Sequence, residues 1–212
     1  MKRFLNLFSA FILLLGLSGV ANATIINYNF AVAGDGNSYT SPYSGVTVYT
    51  FDGAPSLTWF GNGAVVSGST GQNAAPFGVS AADNTNYVTV GIGSYKATLP
   101  NAVNNYFGLW WGSVDAYNTL TFYNGATAVA SFTGSDAINP STANGNQTAP
   151  STNLYVNFLD LPNFNRFEMT STSYAFEADN IAVGKVNVPE PATMLLLGLG
   201  LIGLAGMRRK IH

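Results

Sequence analysis

Between Thr24 and Asn187 the apolar residues recur with a period of two, not 3.6, and this confines the segment to β-strands. Val46-Thr47-Val48-Tyr49-Thr50-Phe51 alternates apolar with hydroxyl-bearing side chains, as a half-buried strand requires. Comparable runs occupy 25–30, 87–90, 106–111, 120–123, 128–132, 154–158, 166–170 and 174–186. All are rich in β-branched and aromatic residues and are separated by Gly, Asn, Pro and Ser clusters. Asn124-Gly125, lying between two such runs, predicts a tight hairpin with a primed turn. No stretch of the body has the periodicity of an amphipathic helix. The expected architecture is all-β, an antiparallel two-sheet sandwich of jelly-roll type. Gly61-Asn62-Gly63 and Gly91-Ile92-Gly93 lack the strand-to-helix setting of a phosphate loop and read as turns or bulges. The segment 135–152 reads as a long mobile loop.

Charge excludes several functions. Lys96, Arg166 and Lys185 face nine acidic residues across this body, a net charge of −6. So sparse and acidic a surface argues against nucleic acid and against anionic lipid. Cysteine is absent, which removes disulfides and thiolate metal sites. The single histidine is His212, the last residue, so His-dependent nucleophilic catalysis and His-ligated zinc are excluded for the body. The reading is therefore of a protein that is not an enzyme. A carboxylate pair for glycoside hydrolysis exists only arithmetically, among Asp115, Glu168, Glu177 and Asp179.

The ends carry addresses. Lys2 and Arg3 precede an apolar stretch over 4–20, and Ala21-Asn22-Ala23 supplies an A-x-A cleavage site, so residues 1–23 read as a secretory signal peptide. The body spans 24–187. In the tail, 188–212, Pro189-Glu190-Pro191 breaks any regular structure. An uncharged apolar helix follows to Met207, and Arg208, Arg209 and Lys210 form a basic stop that stays cytoplasmic. The run from Ala192 falls short of the ~20 residues that span a bilayer comfortably.

This tail closely resembles the PEP-CTERM sorting signal of bacterial surface proteins, with an ordinary C-terminal anchor as the alternative. The resemblance implies export by the secretion machinery and transient contact with the inner membrane. Removal of the tail by exosortase, a membrane-embedded cysteine transpeptidase, would follow. The expected destination is the cell surface or extracellular polysaccharide matrix of a Gram-negative-type bacterium. Two blocks of the body, YFGLWWGSVDAYNTLTFYNG from Tyr106 and FEMTSTSYAFEADNIA from Phe167, resemble a recurrent group of exosortase-dependent surface proteins. That likeness implies one β-sandwich domain and no particular activity.

Within these blocks lie the candidate site residues. Glu177 and Asp179 share one strand face, and Asp115 from the other block is a candidate third oxygen ligand for calcium. The alternative is a solvated outer face of an edge strand, with Phe176 inward. Trp110, Trp111 and Tyr117 offer ring faces on which sugars stack, the alternative being that they are core. Two functions stand: a passive or adhesive surface module, and a lectin-like module binding matrix glycans, with or without calcium.

Overall fold

A computed structural model describes residues 24–29, 39–101, 103–138 and 140–187. The expected signal peptide and the sorting residues Pro189, Glu190, Pro191, Arg208, Arg209 and Lys210 lie outside the described residues. The strands are β1 (Ile25–Asn29), β2 (Thr47–Tyr49), β3 (Thr58–Ser67), β4 (Asn86–Thr98), β5 (Tyr106–Gly112), β6 (Asn118–Asn124), β7 (Thr127–Thr133), β8 (Leu154–Leu159), β9 (Arg166–Ser171) and β10 (Phe176–Gly184). A single helical turn, α1 (Gly134–Ala137), follows β7.

All the ladders are antiparallel, and one path of pairing runs β1-β8-β5-β10-β4-β9-β6-β7, with β2 added to β10 and β3 to β4. The all-β antiparallel expectation holds. The ladder is continuous, however, where two separate sheets were expected. Its continuity depends on β4, which changes partner along its length. Val88–Val90 pair with β10, whereas Gly93–Thr98 pair with β9. Between them lie Gly91 and Ile92, and Gly93, which opens the second stretch, stands at φ 129. The facing strand β3 slips register between Gly61 and Gly63. A Cβ on Gly61 would lie 2.2 Å from the Ser94 carbonyl oxygen, so only glycine lets the two backbones approach at this corner. Both glycine clusters are thus bulges inside long strands.

Bending at β4 curls the sheet over an aromatic core. Phe107 of β5 lies 5.1 Å from Phe122 of β6 and 4.8 Å from Phe167 of β9, and Phe158 of β8 lies 5.0 Å from Phe132 of β7. None of these strand pairs is hydrogen-bonded, so the rings meet across the interior. The interlocked T-shaped and tilted contacts add to the burial of their apolar area.

β10 lies inside this arrangement. It pairs with β5 along one side and with β4 and β2 along the other, and all nine of its residues are buried. The alternative of a solvated edge strand for Glu177 and Asp179 is therefore corrected: their strand is central and covered on both faces.

Candidate functional site

Four loops and β10 enclose a recess of about 230 Å³. Its walls carry the carboxylates of Asp115 and Glu177, the phenols of Tyr117 and Tyr174, and the amides of Gln72, Asn73, Asn144 and Gln147. Asp115 follows β5 and bridges to Asn144, which ties the loop after α1 to the end of that strand. Hydrogen bonds from Gly145 N–H to the Val114 carbonyl (3.0 Å) and from Ala116 N–H to the Ala143 carbonyl (3.2 Å) secure the junction. The carboxylate of Asp115 lies directly over Gly145, where a Cβ would come within 2.4 Å of Oδ1. The segment expected to be a mobile loop is thus a built wall. Its amides are occupied by Asn side chains: Asn146 Oδ1 accepts from Thr148 N–H (3.0 Å) and Ala149 N–H (3.1 Å).

Glu177 forms the floor and is 1% exposed. Its Oε1 accepts the Ala74 N–H at 2.9 Å, and its Oε2 accepts the Ser113 hydroxyl at 2.9 Å. Burial pushes the Glu177 carboxyl up to about 7; the two hydrogen bonds oppose the shift, and the charge of Asp115 adds to it. Burial also raises Asp115, with Tyr117 pulling the other way. The Tyr117 hydroxyl donates to the Tyr174 carbonyl at 2.6 Å, fixing the loop that presents the Tyr174 ring. That ring is half-exposed and lies over Gly91, where a Cβ would stand 3.0 Å from it. It also borders a second recess over β4, lined by Asn62, Thr89 and Ile92.

Asp115, Glu177 and Tyr117, named from the sequence, are thus brought together. Asp179 is not. It is wholly buried, absent from the recess wall, and faces Asp83. Among the described residues no three His, Cys, Asp or Glu side chains converge to hold a metal, so the expected trio of Asp115, Glu177 and Asp179 does not form. Trp110 and Trp111 are corrected as well. Trp110 is 1% exposed and stacked on Tyr39 at 4.2 Å, and Trp111 is 0% exposed and parallel to Phe176 at 4.3 Å. Neither ring has a free face for a sugar. The accessible aromatic is Tyr174, which sequence reasoning passed over along with Gln72, Asn73 and Asn144. The only local signal for those four was the density of Ser, Thr, Asn and Gln in their loops.

One family model matches the chain: the PEP-CTERM protein-sorting motif, over residues 187–210. No curated protein and no solved structure matches it. The matched span contains the Pro189-Glu190-Pro191 break and the Arg208-Arg209-Lys210 end. The chain therefore carries a PEP-CTERM sorting signal, which implies an exported protein processed by exosortase.

Proposed function

We propose that the chain is a surface or extracellular-matrix protein whose β-body is a non-catalytic recognition module, with matrix polysaccharide as its partner. In this reading the facing halves of the curled sheet act as the layers of a sandwich. The secretion machinery and a transient stay in the inner membrane precede release of the tail. One observation supports recognition over a purely passive role: a polar recess with a half-exposed tyrosine on its rim. A flat ring and a surrounding set of carboxylate and amide groups are what a pyranose needs, apolar face on one side and hydroxyls on the other. At about 230 Å³ the recess is smaller than the roughly 300–1,000 Å³ of drug-sized ligand sites, in keeping with a single sugar unit.

The non-catalytic reading is supported by Glu177, whose two oxygens are both held by internal hydrogen bonds. Glu168, another candidate acid, pairs with Lys96 at 3.7 Å and accepts the Tyr123 hydroxyl at 2.8 Å. A glycan array probed with the full chain in mild detergent tests the proposal. Tyr174→Ala and Asp115→Asn should each weaken binding at least tenfold while the melting temperature holds. Binding to no glycan on the array would leave only the passive, adhesive role. Glycoside turnover abolished by Glu177→Gln or Glu168→Gln would make the body an enzyme instead.

A further inference from the structure

A second acidic centre lies one pleat along β10 from Glu177. Asp179 is 0% exposed, and Asp83, from the loop joining β3 to β4, is 5% exposed. Asp83 is firmly placed: its N–H donates to the Pro76 carbonyl at 2.7 Å, and its Oδ1 accepts from Thr85 N–H at 2.9 Å and Thr85 Oγ1 at 2.7 Å. Asp179 Oδ1 accepts the Asn180 N–H at 2.6 Å. The remaining oxygen of each carboxylate, Oδ2, is buried without a partner, and the two side chains are neighbours whose charges act on each other. Asp52, on the exposed loop after β2 and anchored by the Asn86 N–H at 2.9 Å, adds a third negative charge nearby. Burial, reinforced by the charges of Asp83 and Asp52, pushes Asp179 up to about 9, while the Asn180 N–H opposes.

Among the described residues neither carboxylate is in an ion pair. Lys96 forms the ion pair with Glu168, and Arg166 lies over the Tyr123 ring at 4.3 Å. Buried carboxylate oxygens left without hydrogen bonds are costly, and two facing each other repel as well. A cation between them removes both costs at once.

We propose that Asp83 and Asp179 form a calcium site that clamps the loop joining β3 and β4 onto β10. The donors are hard oxygens only, which suits Ca²⁺ and excludes the nitrogen- and sulfur-seeking metals. Oxygens sharing a Ca²⁺ at about 2.4 Å sit about 3 Å apart, and a single ion can take one oxygen from each of two neighbouring carboxylates. With only two carboxylates in place, backbone carbonyls and water complete the shell. Mg²⁺ fits less well, because it demands near-octahedral geometry and gives up water reluctantly. The clamped loop also carries Gln72, Asn73 and Ala74, so the ion would order one wall of the recess without entering it.

Calorimetric titration of the chelator-stripped full chain with CaCl₂, paired with thermal melts, tests the site. One Ca²⁺ per chain is expected, with a rise in melting temperature of about 5–10 °C at a hundredfold excess over Kd. Asp83→Asn and Asp179→Asn should each abolish the rise, and Asp115→Asn should retain it. The titration of the unaltered chain decides the matter even where a variant fails to fold. No heat and no rise at millimolar Ca²⁺ would mean that the two carboxyls share a proton instead, and would overturn the site. A rise lost in Asp115→Asn but kept in Asp179→Asn would overturn it too, by moving the ion to the recess.

Discussion

Glu177 shows how burial makes a single side chain sensitive to pH. Its folded-state carboxyl stands at about 7, against an ordinary 4.5, chiefly because burial disfavours the charged form. The folded chain therefore holds the proton more tightly than the unfolded chain. This contribution to stability is fully present below pH ~4.5, declines as pH rises toward ~7 and is flat above. The loss should reach up to about 3 kcal/mol, read as the difference between the unaltered chain and Glu177→Gln in urea melts at pH 4.5 and 7.5. A difference independent of pH would show that the folded and unfolded chains hold this proton equally tightly. Trp111 illustrates the opposite case, a residue whose prominence in the sequence misleads. Its parallel contact with Phe176 lies in the core, so Trp111→Ala should cost about 3–5 kcal/mol in denaturant melts, which makes it useless as a probe of glycan binding. Adjacent Trp110 and Trp111 do point to opposite faces, as alternation demands. What alternation could not show is that β5 is paired on both edges and covered on both faces.

At the scale of elements, the strands that were legible are those whose alternation is unbroken. β5 to β10 appear close to where the period places them, and the Asn124-Gly125 signal marks a real hairpin. Its two-residue connection is Gly125-Ala126, since Asn124 pairs with Thr127, and Gly125 at φ 59 supplies the positive φ that a primed turn requires. β3 escaped because Gly61 and Gly63 interrupt its pattern, and β4 was truncated at Val90 because Gly91 and Gly93 look like a stop. Residue pattern cannot distinguish a bulge within a strand from a turn that ends it; the close approach to Ser94 does. α1 was also hidden, being one turn held by a capping box in which Thr133 and Asp136 exchange hydrogen bonds. Thr133→Ala should cost about 1 kcal/mol in thermal or urea melts. The recess was half legible for a related reason: Asp115, Tyr117 and Glu177 sit in or beside strands, whereas its other walls are loops set by tertiary contacts. Gly145, at φ 69 against the Asp115 carboxylate, connects the two. Gly145→Ala should cost about 1–2 kcal/mol and displace that carboxylate, so glycan binding should fall with it. Full retention of binding in this variant would place the ligand away from Asp115.

At the scale of the whole molecule, the body closes where the sorting signal begins. The Asn105 side chain grips Val186 at both ends of its peptide: Nδ2 donates to the Val186 carbonyl at 2.9 Å, and the Val186 N–H donates to Oδ1 at 2.8 Å. The Asn105 N–H in turn donates to the Gly184 carbonyl at 3.0 Å. The matched sorting motif starts at the very next residue, 187. These three bonds tie the end of β10 to the start of β5, two strands already paired in the middle of the sheet. The ladder and the aromatic core of the described residues are built entirely from the chain before residue 187. The apolar run from Ala192 to Met207, short for a lasting membrane span, is consistent with a segment used once and discarded. Two outcomes are expected. Protein recovered from its native cell surface should have an intact mass lacking Arg208, Arg209 and Lys210, and a chain that keeps them would refute processing. A chain ending at Asn187 should melt within about 1 °C of the full chain in the same detergent, because among the described residues the last one bonded into the body is Val186. Asn105→Ala, by contrast, leaves both peptide groups of the clasp unpaired and should lower the melting temperature of full and trimmed chains alike, by about 2–6 °C for a loss of about 1–2 kcal/mol. A trimmed chain that melted well below the full one would mean that the tail is part of the fold, and the boundary at 187 would have to move.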